Sequence, residues 1–124
     1  MGNYVLIVDD DPDDVGLVMD VLGTFDVEGR EASNGEVALE MIAQELPRAI
    51  VLDLMMPVMD GYNFIEKLQA VTGAKDIPII VLSALADRHT DISLKRLPGV
   101  VGVLSKGNFS MQKLQSVVTL ALEK

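Results

Sequence analysis

Asp9 and Asp10 follow the apolar run Val5–Val8, and Asp53 follows Ile50–Leu52. Ser83 follows Ile79–Leu82, and Ser105 and Lys106 follow Val100–Leu104. Each polar group stands where a short, β-branched run ends. If the runs are parallel strands of one open α/β sheet, their carboxyl ends face a single crevice, where such sheets bind ligands. The crevice then holds three carboxylates, a hydroxyl and an ammonium. Carboxylates at close range repel one another, and a hard divalent cation with oxygen ligands relieves this; Mg²⁺ is the ion expected. Asp9 and Asp10 can hold it directly or through water. Asp53 can give one oxygen to the metal and turn the other on phosphorus. Mg²⁺ and Lys106 would neutralise the phosphoryl oxygens, and the Ser83 hydroxyl would donate to one of them. The product of that chemistry is an aspartyl phosphate.

Taken singly, the same residues have plainer roles. An Asp run at a strand–helix junction caps the helix and complements its dipole, and Asp11, Asp13 and Asp14 are read that way. A lone Asp after a strand is a turn residue. A lone Ser is a cap, and a lone Lys is a solvated charge. Four residues that each end a different strand of one sheet argue for a site instead. His89, the one histidine, is read as facing solvent, and most of the seven methionines as core filler.

The elements that must position these groups follow from spacing. Val15, Val18, Met19 and Leu22 recur at i, i+3, i+4 and i+7, as do Gly61, Phe64, Ile65 and Leu68, and Leu114, Val117, Val118 and Ala121. Ala38, Met41 and Ile42 mark another helix. Asp11-Pro12 reads as a cap followed by Pro at the first helical position. Ser33-Asn34-Gly35 turns the chain before the second helix, and Pro47 ends that helix. Pro57 and Asp60-Gly61 precede the third, Pro98-Gly99 close the fourth, and Ser110 caps the fifth. A weaker strand around Val27–Ala32 carries Glu28, Arg30 and Glu31, charges that suit a sheet edge. The fourth helical segment, Asp87–Leu97, has an apolar face of little more than Leu94 and Leu97. The pattern βαβαβαβαβα predicts a doubly wound α/β sandwich around a five-stranded parallel sheet of order 2-1-3-4-5. That order puts the charged strand at an edge and the first and third strands together at the switch point.

Composition narrows the function. The 124 residues amount to one domain, 1–124. Nineteen acidic and ten basic residues leave a net charge of −9, which argues against nucleic acid and anionic membranes as partners. Two Tyr, three Phe and no Trp leave little for base stacking. The lack of Cys excludes disulfides, thiolate metal sites and a Cys nucleophile, and fits a cytoplasmic protein. No apolar run reaches the ~18 residues of a membrane span. The first residues have no basic region or small-residue cleavage site, so no signal peptide is expected.

With these residues in place, the chain resembles the receiver domain of two-component response regulators, the single-domain kind typified by CheY. The resemblance covers essentially the whole chain. It rests on Asp9-Asp10, on Asp53 with Met55-Met56-Pro57-Val58-Met59-Asp60-Gly61, on Ser83-Ala84 and on Lys106. It implies a flavodoxin/CheY-like (βα)5 fold, with Asp53 as phosphoacceptor. Asp9, Asp10, Asp53 and the Met55 carbonyl would bind Mg²⁺, Ser83 would be the switch hydroxyl, and Lys106 would contact the phosphoryl group. It further implies a signalling switch rather than a turnover enzyme. The phosphoryl donor would be a histidine kinase or a histidine phosphotransfer protein, and a downstream protein would be met through the fourth helix, fifth strand and fifth helix. Two positions depart from the family. Gly107 stands where a cis-Pro usually follows the Lys, and a non-proline cis bond costs ~2.5–4 kcal/mol. Val103 stands at the aromatic switch position, so an aromatic swinging between core and surface is excluded.

Two other functions are weighed. Asp9-Asp10-Asp11 matches the strand–D-x-D pattern of haloacid dehalogenase-like phosphohydrolases, but Asp13 stands where Thr or Val is expected and no Asp follows Asp91. A phosphorylation-independent pseudo-receiver sits poorly with a complete acidic set. A Ca²⁺ loop over Asp9, Asp11 and Asp13 fails because Asp14 takes the required Gly position.

Overall fold

In a computed structural model, which describes residues 2–56, 58–84, 93–107 and 110–123, five parallel strands form one sheet. They are β1 (Tyr4–Val8), β2 (Glu28–Ala32), β3 (Ala49–Leu52), β4 (Ile79–Ser83) and β5 (Val100–Ser105). Helices α1 (Pro12–Gly23), α2 (Gly35–Gln44) and α3 (Gly61–Leu68) follow the first three strands. A helical stretch at residues 93–95 is labelled α4, and α5 (Met111–Leu122) follows β5. The order is β2-β1-β3-β4-β5, as the sequence pattern predicts.

The inner strands are continuous apolar runs because both of their faces are covered. Successive side chains point to opposite faces. Tyr4, Leu6 and Val8 join Ile50, Leu52 and Val81 in a core completed by Ala38 and Ile42 of α2 and Phe64, Ile65 and Leu68 of α3. Val5 and Ile7 join Val51, Ile80, Leu82 and Leu104 under Val15, Val18 and Leu22 of α1 and Leu114, Val118 and Ala121 of α5. Met19 and Val117, read as members of the buried stripes, are half-buried at their margins. β2 is the edge its charges predict: Glu28 and Glu31 are exposed, and only Ala32 is buried.

The helices begin where the sequence punctuates them. Asp11, Asn34, Asp60 and Ser110 each sit at an N-cap with extended backbone, and each side chain accepts a backbone N–H of the first turn. Gly61, at the start of α3, is required by packing. A Cβ there would lie 2.7 Å from Leu54 Cα, and the Gly61 N–H donates to the Leu54 carbonyl at 3.0 Å. Of the expected fourth helix, Asp87–Leu97, residues 87–92 lie outside the described residues. Leu94 is fully buried and Leu97 packs against the same core, which is the narrow apolar face expected.

Candidate functional site

Strand register brings the polar groups together. Val8 pairs with Leu52, so Asp9 and Asp53 stand side by side just past β1 and β3, and the Asp53 N–H donates to the Val8 carbonyl at 2.9 Å. Ser83 pairs with Ser105 at the ends of β4 and β5, and the Lys106 N–H donates to the Ser83 carbonyl at 3.0 Å. The Lys106 side chain then reaches back over the sheet. Its Nζ lies 3.2 Å from Asp9 Oδ2 and 3.0 Å from Asp53 Oδ2. The Lys106–Gly107 bond is trans. Val103 is buried in the core beside Val81.

Asp9, Asp53 and Ser83 are buried, at 5%, 3% and 0% exposure, whereas Asp10 is exposed. Asp53 is fixed at both oxygens. Oδ1 accepts the Met55 N–H at 3.0 Å, and Oδ2 accepts Lys106. The Met55 side chain itself is 58% exposed. Burial raises the Asp9 pKa to about 6; the Asp53 charge adds to this, while the Asp11 N–H and Lys106 oppose it. Burial works against the Lys106 ammonium, but its carboxylate partners outweigh that and hold its pKa above the ordinary lysine range. The ammonium is therefore a permanent charge.

One ligand atom from each of Asp9, Asp10 and Asp53 lies within 4.8 Å of the others. This is an all-oxygen, anionic donor set, the kind a hard cation such as Mg²⁺ takes. Two of its members are buried, and Lys106 offsets one of their charges. The residues present fit such an ion.

Asp14 was read only as a helix-capping charge, and the structure adds a contact. Its Oδ2 lies 2.8 Å from Lys106 Nζ, with the two side chains 14% and 18% exposed. The signal was available: Asp14 is the third residue of α1, and helical side chains lean toward the N-terminus, here toward the crevice. His89, Pro57 and the residues between Ala84 and Ser93 lie outside the described residues.

With that geometry established, comparison with known proteins identifies the family. The model of the response regulator receiver domain matches residues 5–119. The chain is 38% identical over 88 residues to response regulator PleD of Caulobacter vibrioides, covering 71% of this chain and 19% of PleD. It spans 35% and 9% of the first two curated relatives it matches, so those proteins are much longer. Among solved structures, the receiver domain of the Francisella response regulator 1452 is 27% identical with a TM-score of 0.83, covering 98% of both chains. The Mn(2+)-bound form of response regulator Rcp1 is 25% identical with a TM-score of 0.81, covering 99% of this chain and 96% of that one. The fold, the strand order and the family model agree, and the chain belongs to the response regulator receiver domains of two-component systems.

Proposed function

We propose that residues 1–124 act as one phosphorylation switch in which Asp53 accepts a phosphoryl group. The observation that carries this is the setting of Asp53: a buried carboxylate held by the Met55 N–H and the Lys106 ammonium, beside Asp9 and Asp10. A carboxylate oxygen of Asp53 attacks phosphorus and forms the new O–P bond. The bond from phosphorus to the donor breaks, and its electron pair leaves with the donor. Lys106 balances charge on the transferred oxygens, and the Ser83 hydroxyl donates to one of them. Asp9, Asp10, Asp53 and the Met55 carbonyl would hold Mg²⁺, which supplies further charge neutralisation when bound. The Mn(2+)-bound state of the related Rcp1 supports a divalent ion here.

The donor would be a histidine kinase or histidine phosphotransfer protein, and the sensor histidine kinase TmoS among the relatives supports that class of partner. Output would pass to a downstream protein through α4, β5 and α5, where Met111 and Leu120 of α5 are exposed. We place this switch in the cytoplasm; among the described residues no helix is long and apolar enough to cross a membrane. The chain is a phosphoacceptor rather than a turnover enzyme. The test is labelling by acetyl phosphate with Mg²⁺. Asp53 alone should be labelled, and Asp53→Ala should abolish labelling. Undiminished labelling of Asp53→Ala would sink the assignment.

A further inference from the structure

Resting on the phosphoacceptor reading, we infer that Asp14 is a positioning residue that competes with the phosphoryl group for Lys106. Lys106 faces three carboxylates, and the shortest of the three contacts, 2.8 Å, is to Asp14 Oδ2 on α1. Asp9 and Asp53 belong to the set that would bind the cation; Asp14 does not. A cation drawing on Asp9 and Asp53 weakens their hold on the ammonium and leaves Asp14 as its strongest anchor. Among the described residues, Asp14 Oδ2 is a buried oxygen whose one close polar contact is the ion pair with Lys106 Nζ.

The consequence follows from charge counting. Asp9, Asp10, Asp14 and Asp53 against Lys106 leave the pocket at about −3, and a divalent cation brings it to about −1. A phosphoryl group on Asp53 adds negative charge and draws the same ammonium. Lys106 then has to leave Asp14 for the phosphoryl oxygens, and a half-buried carboxylate, its Oδ2 enclosed, is left without its counter-charge. Asp14 thereby sets the threshold for the phosphorylated state. It holds Lys106 ready over the crevice and opposes its final movement.

The experiment is a titration with beryllofluoride in saturating Mg²⁺, followed by calorimetry. Asp14→Asn keeps the shape and removes the charge. It should bind beryllofluoride about tenfold more tightly than the unaltered protein, the loss of roughly one screened charge–charge interaction at this range. In a Lys106→Met background the same substitution should give no such gain, because nothing is left to compete for. A residue that merely supports α1 would not show that dependence on Lys106. A second readout uses the unaltered protein. The Lys106 side-chain nitrogen resonance should shift when beryllofluoride is added, and Asp14→Asn should already show part of that shift without it. Equal or weaker binding by Asp14→Asn, or a gain that persists without Lys106, overturns the inference and leaves Asp53 as phosphoacceptor intact. Failure of the unaltered protein to bind beryllofluoride overturns both.

Discussion

Asp9 shows how one buried carboxyl ties stability to pH. Burial first, and the Asp53 charge second, raise its folded pKa to about 6, above the ordinary value of ~3.9 in the unfolded chain. A raised pKa means that Asp9 binds its proton more tightly in the folded state. Its contribution is therefore fully present below pH ~4 and is lost as pH rises through about 6. We expect the metal-free protein to lose on the order of 2 kcal/mol relative to Asp9→Asn between pH 4 and 7.5. Denaturant titrations of both proteins in chelator check this, and parallel pH profiles would contradict it. The same proton competes with a cation, so metal affinity should fall below that pH range.

The loop between β3 and α3 is where local backbone preference gives way to the needs of the site. Val58 adopts φ 72° and is 73% exposed, an outlying conformation for a β-branched residue. The chain must turn there to bring Met59 into the core and Asp60 to the cap of α3, while the Met55 N–H stays on Asp53. The left-handed conformation costs roughly 1–2 kcal/mol at a residue with a Cβ, and Asn tolerates it better. Val58→Asn should therefore raise stability by about 1 kcal/mol. Thermal or denaturant unfolding of the metal-free protein gives the answer, and a destabilised variant would mean that Val58 makes a contact worth more than the strain. Gly61 works the other way. Its missing Cβ lets α3 start against Leu54, which keeps the loop short.

For the molecule as a whole, a cation in the acidic crevice would make folding and metal binding one equilibrium. A cation held by Asp9, Asp10 and Asp53 binds only where register has brought them within 4.8 Å of one another. It should raise stability by ~2.7 kcal/mol at a hundredfold excess over Kd. Unfolding midpoints with and without Mg²⁺ measure this directly, and equal midpoints would count against a metal pocket. Much of this was legible beforehand. Strands buried on both faces must be continuous apolar runs, helices with one buried face must repeat at i, i+3 and i+4, and Asp11, Asn34, Asp60 and Ser110 are residues that cap. These are local demands on residue type, so the sequence by itself determined the element order, the charged edge strand and the polar residues at the strand ends. Which groups touch was a different matter. The register Val8↔Leu52, the reach of Lys106 from β5 back to β1 and β3, and its contact with Asp14 join residues as many as 97 positions apart. Residue type alone carries no such distance. Asp14 in particular has the composition of a helix cap; its place in the first turn of α1 leans it toward the crevice, but only the packing of α1 over the sheet brings it to the ammonium. Tertiary structure likewise decided which acids are buried: of the Asp9-Asp10 pair one is enclosed and the other is exposed, although a carboxylate oxygen of each lies within 4.8 Å of the other.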